Sequence, residues 1–220
     1  MVSTTLEKKK KSASKAKRYS VEAGKAHPLG ATPDASGVNF SIFSENATAI
    51  ELLLFNEHDD EHPFFTVSLD TDTNRTFHFW HIYVKDIAPG THYAYRVDGP
   101  QDIHAGHKFN RNKVLTDPYA KGLTNSLWQR GEACNDSDNI ASSLRGVVID
   151  AESYKWGDDK PLNTPMKDSI IYEMHIGGFT RDKSSGVKNP GTFKGAIEKI
   201  PYIKELGVTA VELLPVFSFD

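Results

Sequence analysis

Glu173 and His175 come directly after a short apolar run, Ser169-Ile170-Ile171-Tyr172, and stand at the C-terminal end of the strand which that run predicts. A carboxylate and an imidazole at a strand end can line a substrate cleft, and they can equally serve a structural hydrogen-bond network. Glu212 lies inside a second apolar run and reads as a satisfied buried carboxylate. A different chemistry is offered by flat aromatic side chains with a polar handle, which can cover the apolar face of a sugar ring. Trp80, Tyr83, Trp128 and Trp156 are the candidates, each with a competing reading as core. Trp80 and Tyr83 fall in a strand and Trp128 in a loop. The substrate-binding candidates are therefore Glu173, His175, Trp80 and Trp128, with no residue assigned to catalysis or to a metal.

Other constellations do not carry the chemistry they suggest. Asp70-Thr71-Asp72-Thr73-Asn74 opens like a calcium loop, but Arg75 stands where the turn glycine belongs and His81 where the closing glutamate belongs. Asp102, His104 and His107 have no further ligand at motif spacing. Gly177-Gly178 is expected to be a flexible strand exit, because no Gly-Lys-Ser/Thr comes after it to make a phosphate loop. Cys134 is the single cysteine, so no internal disulfide forms and a reducing compartment, the cytoplasm, is expected. No cofactor is expected.

The positioning elements can be read from periodicity. Ser169–Glu173 reads as a strand buried on both faces. Phe193, Ile197, Ile200, Ile203 and Leu206 recur three or four apart, as on one helix face, over Thr192–Leu206. Pro201 breaks that helix or opens its second half, and Gly207 suits its C-terminus. Val208–Leu214 is a second strand, stopped by Pro215. Strand, helix and strand of these lengths make one βαβ unit with parallel strands.

Upstream the pattern changes. Val38–Ile42 alternates strictly and predicts a half-buried strand. Ala49–Phe55, Phe64–Leu69, Thr76–Val84 and Thr91–Val97 come next, joined by Gly, Pro, Asp and Asn turns. In the last of these Tyr93, Tyr95 and Val97 face inward. Short strands at this spacing predict an antiparallel β-sandwich. Residues 123–165 lose periodicity, with Gly146–Asp150 as an isolated strand. Charge is uneven within a net −3: Lys8 to Lys11, Lys15, Lys17 and Arg18 face Glu7 alone, so residues 1–18 predict a disordered basic tail on an acidic body. An acidic body argues against nucleic acid, and no apolar run is long enough to span a membrane.

Two groups of motifs carry a family resemblance. Tyr172-Glu173-Met174-His175, Gly178-Phe179-Thr180 and Ile200–Val216 resemble the first two barrel strands of a family 13 glycoside hydrolase, nearest the glycogen debranching and isoamylase group. Ala88–Pro100, Gly106–Asn110 and Lys113–Lys121 resemble carbohydrate-binding module family 48, the N-terminal module of debranching and branching enzymes. The resemblance implies a mainly β chain: an immunoglobulin-like antiparallel β-sandwich followed by an incomplete (β/α)8 barrel start. The expected divisions are a tail over 1–18, the sandwich over 19–122, an irregular connection over 123–167 and the barrel piece over 168–220.

The same resemblance places the family's catalytic carboxylates on barrel strands four, five and seven, which these residues do not include. A full barrel takes roughly 250 residues. The expectation is an N-terminal fragment of an α-1,6-glucan debranching hydrolase, inactive alone and poorly soluble. Its partners would be glycogen, amylopectin or limit dextrin and, for a split enzyme, a separately encoded C-terminal half. The alternative is a stand-alone, non-catalytic glucan-binding or scaffold protein.

Overall fold

The computed structural model describes residues 19–216; the expected basic tail lies outside the described residues. The chain divides into two compact units, Met1–Tyr154 and Lys155–Asp220. In chain order the first unit holds β1 (Val21–Glu22), β2 (Gly30–Pro33), β3 (Gly37–Phe43), β4 (Ala49–Phe55), β5 (Phe65–Ser68), β6 (Arg75–Thr76) and β7 (Phe79–Lys85). It continues with β8 (His92–Asp98), β9 (Gln101–Asp102), β10 (His107–Lys108), β11 (Val114–Leu115), β12 (Gly122–Thr124), the short helix α1 (Arg130–Cys134) and β13 (Arg145–Val147).

Two large antiparallel sheets and a small β9-β10 ladder result. One runs β1-β7-β3-β2 with β6 on β7; the other runs β12-β13-β8-β4-β5 with β11 also on β8. Alternation decides what they bury. Val38, Phe40 and Ile42 of β3 stand opposite Val84, Ile82 and Trp80 of β7. Ile50, Leu52 and Leu54 of β4 stand opposite Val97, Tyr95 and Tyr93 of β8. These side chains form the core between the sheets, and Phe40 meets Tyr93 across it edge to face at 5.1 Å. The Tyr93 hydroxyl, inside this core, donates to Asp117 Oδ2 at 2.8 Å.

Three local expectations are revised. β3 is buried on both faces, not one. The cause is the lead-in segment 23–27, which lies over the outer face. Asn39 Oδ1 accepts from Lys25 N–H at 2.7 Å and its Nδ2 donates to Lys25 O at 3.0 Å. Ser41 Oγ donates to Ala26 O at 2.7 Å, and His81 Nδ1 meets Ala23 O at 2.7 Å. The polar half of the alternation thus finds backbone instead of water. Second, residues 123–154 are not an irregular connection. They supply β12 and β13, and β13 pairs with both β12 and β8, so it is not isolated. On the outer face of the second sheet Leu53, Phe55, Ala94 and Val114 form a second apolar cluster, and Ile140 packs against it.

The second unit contains β14 (Ile171–Met174), α2 (Ile176–Arg181), α3 (Phe193–Glu198), α4 (Ile200–Glu205) and β15 (Ala210–Leu213). β14 and β15 pair in parallel, Ile171 opposite Ala210 through Met174 opposite Leu213. The expected helix is two helices, because Pro201 sits in the first turn of α4, where its missing N–H is no loss. Gly207 comes next with φ +84, the left-handed conformation that closes a helix. Met174, Ala196 and Ile203 make the small core. The third revision concerns Gly177-Gly178, which lie inside α2 rather than in a flexible exit.

Candidate functional site

Trp80 is corrected first. It is 0 % exposed, and its Nε1 donates to Ser44 O at 3.1 Å. The Arg75 guanidinium carbon sits 5.0 Å from the ring centroid. No face is left for a sugar ring, because period-two alternation turns this position toward the opposite sheet.

Glu173 and His175 are both exposed at the end of β14. His175 Nδ1 accepts from Gly178 N–H at 2.9 Å, so the ring caps α2 and Nε2 carries the proton. Glu212, expected to be buried, is exposed and stands directly opposite Glu173 in the parallel ladder. The two carboxylates therefore share a strand face with Ile171 and Ala210, all exposed. Side by side on one face, they do not flank a bond in the way that a glycosidase acid and nucleophile must.

Trp128 has a different setting. It is half-buried and lines a cleft of about 380 Å³ with Gln129, Glu132, Asp138 and Asn139. Arg130 lies 5.7 Å from its ring centroid. The surrounding loop is held by a side chain that sequence reading missed. Lys113 is buried, and its ammonium donates to Glu132 O at 2.7 Å, Asn135 Oδ1 at 3.0 Å and Ser137 O at 2.5 Å. A buried ammonium has three protons to place, and here all three find oxygen. Asn139, also buried, accepts from Val114 N–H at 2.7 Å. Asp138 pairs with Arg96 at 2.7 Å. No local pattern around Lys113 announces this role, since its acceptors lie 19, 22 and 24 residues away.

A second cleft, about 590 Å³, lies along the lead-in segment and is lined by Lys25, His27, Asp34, Asn39 and Tyr83. Asp34 Oδ1 accepts from Tyr83 Oη at 2.6 Å, Ser36 N–H at 2.7 Å and Gly37 N–H at 3.1 Å. The Tyr83 bond, then the backbone bonds, hold the Asp34 carboxyl below its ordinary range. Burial and then Asp34 push the Tyr83 phenol up to about 12. Lys85 pairs with Glu22 beside it. Trp156 is 68 % exposed in the second unit. Cys134 is free and exposed.

Residues 28–120 match carbohydrate-binding module 48, described as the isoamylase N-terminal domain. The match runs from β2 through β11 of the sandwich. The chain as a whole is similar to Isoamylase 1, chloroplastic, of Oryza sativa subsp. japonica, 41% identical over 91% of this chain and 25% of the relative. It is also similar to a glycogen debranching enzyme of Escherichia fergusonii, 39% identical over 89% of this chain and 30% of that protein. Among solved structures, the Group B Streptococcus pullulanase SAP superposes with a TM-score of 0.66 at 26% identity, covering 89% of this chain and 25% of that one. The pullulanase of Anoxybacillus sp. LM18-11 complexed with maltotriose gives 0.64 at 28% identity, over 88% of this chain and 25% of that one. The chain thus spans about a quarter of the length of the isoamylase it matches.

Proposed function

We propose that this chain is the N-terminal part of an α-1,6-glucan debranching hydrolase, that its module 48 sandwich contacts α-glucan, and that it is inactive alone. The observation that carries the reading is the continuity of the match: isoamylases and glycogen debranching enzymes align with the chain through both units, beyond residues 28–120. The second unit supports the view of an opening βαβ unit of a barrel. Its strands are parallel, and Ile170, Ile171, Phe193, Ile197, Leu206 and Val211 are exposed. Neighbouring strand–helix units of a barrel would cover such apolar faces. The lone cysteine supports a reducing compartment, the cytoplasm.

Inactivity is argued from chemistry. Hydrolysis needs two carboxylates on either side of the scissile bond. Among the described residues of the second unit, Glu173 and Glu212 stand side by side on one open face. The test is to incubate the purified 220-residue chain with glycogen, and to measure both co-sedimentation and reducing ends. Retention on glycogen with no release of reducing ends is expected. Release of reducing ends would refute inactivity, and absence from the glycogen pellet would refute the glucan contact.

A further inference from the structure

We infer that the Trp128 cleft is an α-glucan subsite of the sandwich, with the indole as stacking platform and Glu132 as acceptor for sugar hydroxyls. This deepens the glucan-binding reading above and rests on it. Of the aromatic candidates in the first unit, Trp80 is sealed in the core. The Tyr83 hydroxyl is spent on Asp34, whose Oδ1 already accepts three donors. Trp128 alone of these combines a half-buried ring with a neighbouring cleft whose polar groups retain capacity.

That capacity has a definite chemistry. Glu132 Oε2 receives one long contact, 3.4 Å from Asn135 Nδ2, which leaves lone pairs for a hydroxyl donor. Gln129 is exposed beside it and supplies an amide with both donors and an acceptor. Asp138 is occupied by Arg96 and by Ile140 N–H, so the cleft does not offer a cluster of free carboxylates to a cation. An anionic ligand would meet the Glu132 carboxylate and be repelled. A neutral polyol with one apolar face suits an indole beside a carboxylate and an amide. The volume, about 380 Å³, falls in the range of small-ligand sites, about 300–1,000 Å³.

The site is also built in advance. Lys113 gathers Glu132, Asn135 and Ser137, Asn139 clamps the loop to Val114, and Arg96 holds Asp138. Ordering of the loop is therefore complete before a sugar arrives, so little affinity is lost to it.

The experiment titrates the 220-residue chain with maltoheptaose by calorimetry and by tryptophan emission. Trp128→Ala is expected to weaken binding on the order of tenfold or more, and Glu132→Gln by about three- to tenfold. Tyr83→Ala is expected to stay within about twofold of wild type. Maltoheptaose should shift wild-type emission, and Trp128→Phe, which keeps the packing, should remove that shift. Wild-type affinity in Trp128→Ala, or a loss confined to Tyr83→Ala, overturns the site while leaving the glucan reading intact. A wild-type chain that binds neither maltoheptaose nor glycogen overturns both.

Discussion

Replacing Arg145 with methionine should destabilise the sandwich more than the loss of any charge at its surface would. Arg145 is 1 % exposed. Its Nη1 donates to Glu57 O at 2.9 Å, and its Nη2 to Asp60 O at 2.5 Å and to Ile140 O at 3.2 Å. The guanidinium carbon stands 3.8 Å from the Phe55 ring centroid. Burial pulls the guanidinium down from its ordinary value, and the charges of Asp60 and Asp59 push it back up. Hydrogen bonds to a charged group are worth about 1.5–3 kcal/mol each, so the three together hold about 5–9 kcal/mol gross. Two corrections reduce that figure. Methionine removes the cost of a buried charge, several kcal/mol, and water can reach the freed Glu57 carbonyl because Glu57 is exposed. The expected net loss is about 2–4 kcal/mol. Urea unfolding of the full chain, monitored by tryptophan emission, measures it as a fall in midpoint at constant slope. Arg145→Lys should lose roughly half as much, since a point charge cannot serve three carbonyls and stack on Phe55 at once. A methionine variant within about 0.5 kcal/mol of wild type would refute the view that this cation organises the loops.

Gly146→Ala places a methyl 2.7 Å from Cε1 of the buried Tyr93 ring, and a loss of about 1–3 kcal/mol in the same unfolding assay is expected. Tyr83 should remain protonated until about pH 12 in a spectrophotometric titration, and Asp34→Asn should move its transition down. Because the folded phenol is raised, its contribution to stability is whole below the ordinary tyrosine value near 10 and fades as pH rises through about 12. Asp34 has the opposite sign. Its folded carboxyl is depressed, so its contribution is present above the ordinary value of 3.8 and fades as pH falls through the lower folded value. Acid titration with the Tyr83→Phe variant as comparison should show this fading reduced.

Much of the fold was legible because its information is local. The alternation in Val38–Ile42 and Thr91–Val97 and the short apolar run Ala49–Phe55 assigned the strands, and a repeat of every second residue named Tyr93, Tyr95 and Val97 as inward. The three-and-four spacing before Gly207, with Pro201 inside it, marked the helices between two parallel strands. What the tertiary structure alone decided was the environment of polar and aromatic groups. Trp80 and Trp128 are the same residue type, yet one is sealed beneath the opposite sheet and the other lines a cleft. Glu212 read as buried because its neighbours are apolar, but both strand faces at that point are open. No local pattern marks Lys113 and Arg145 as buried. They are buried because their acceptors come from distant segments, in the case of Arg145 and Glu57 from 88 residues away. A periodic pattern reports which face of an element is apolar; it carries no record of which remote carbonyl will satisfy a buried charge.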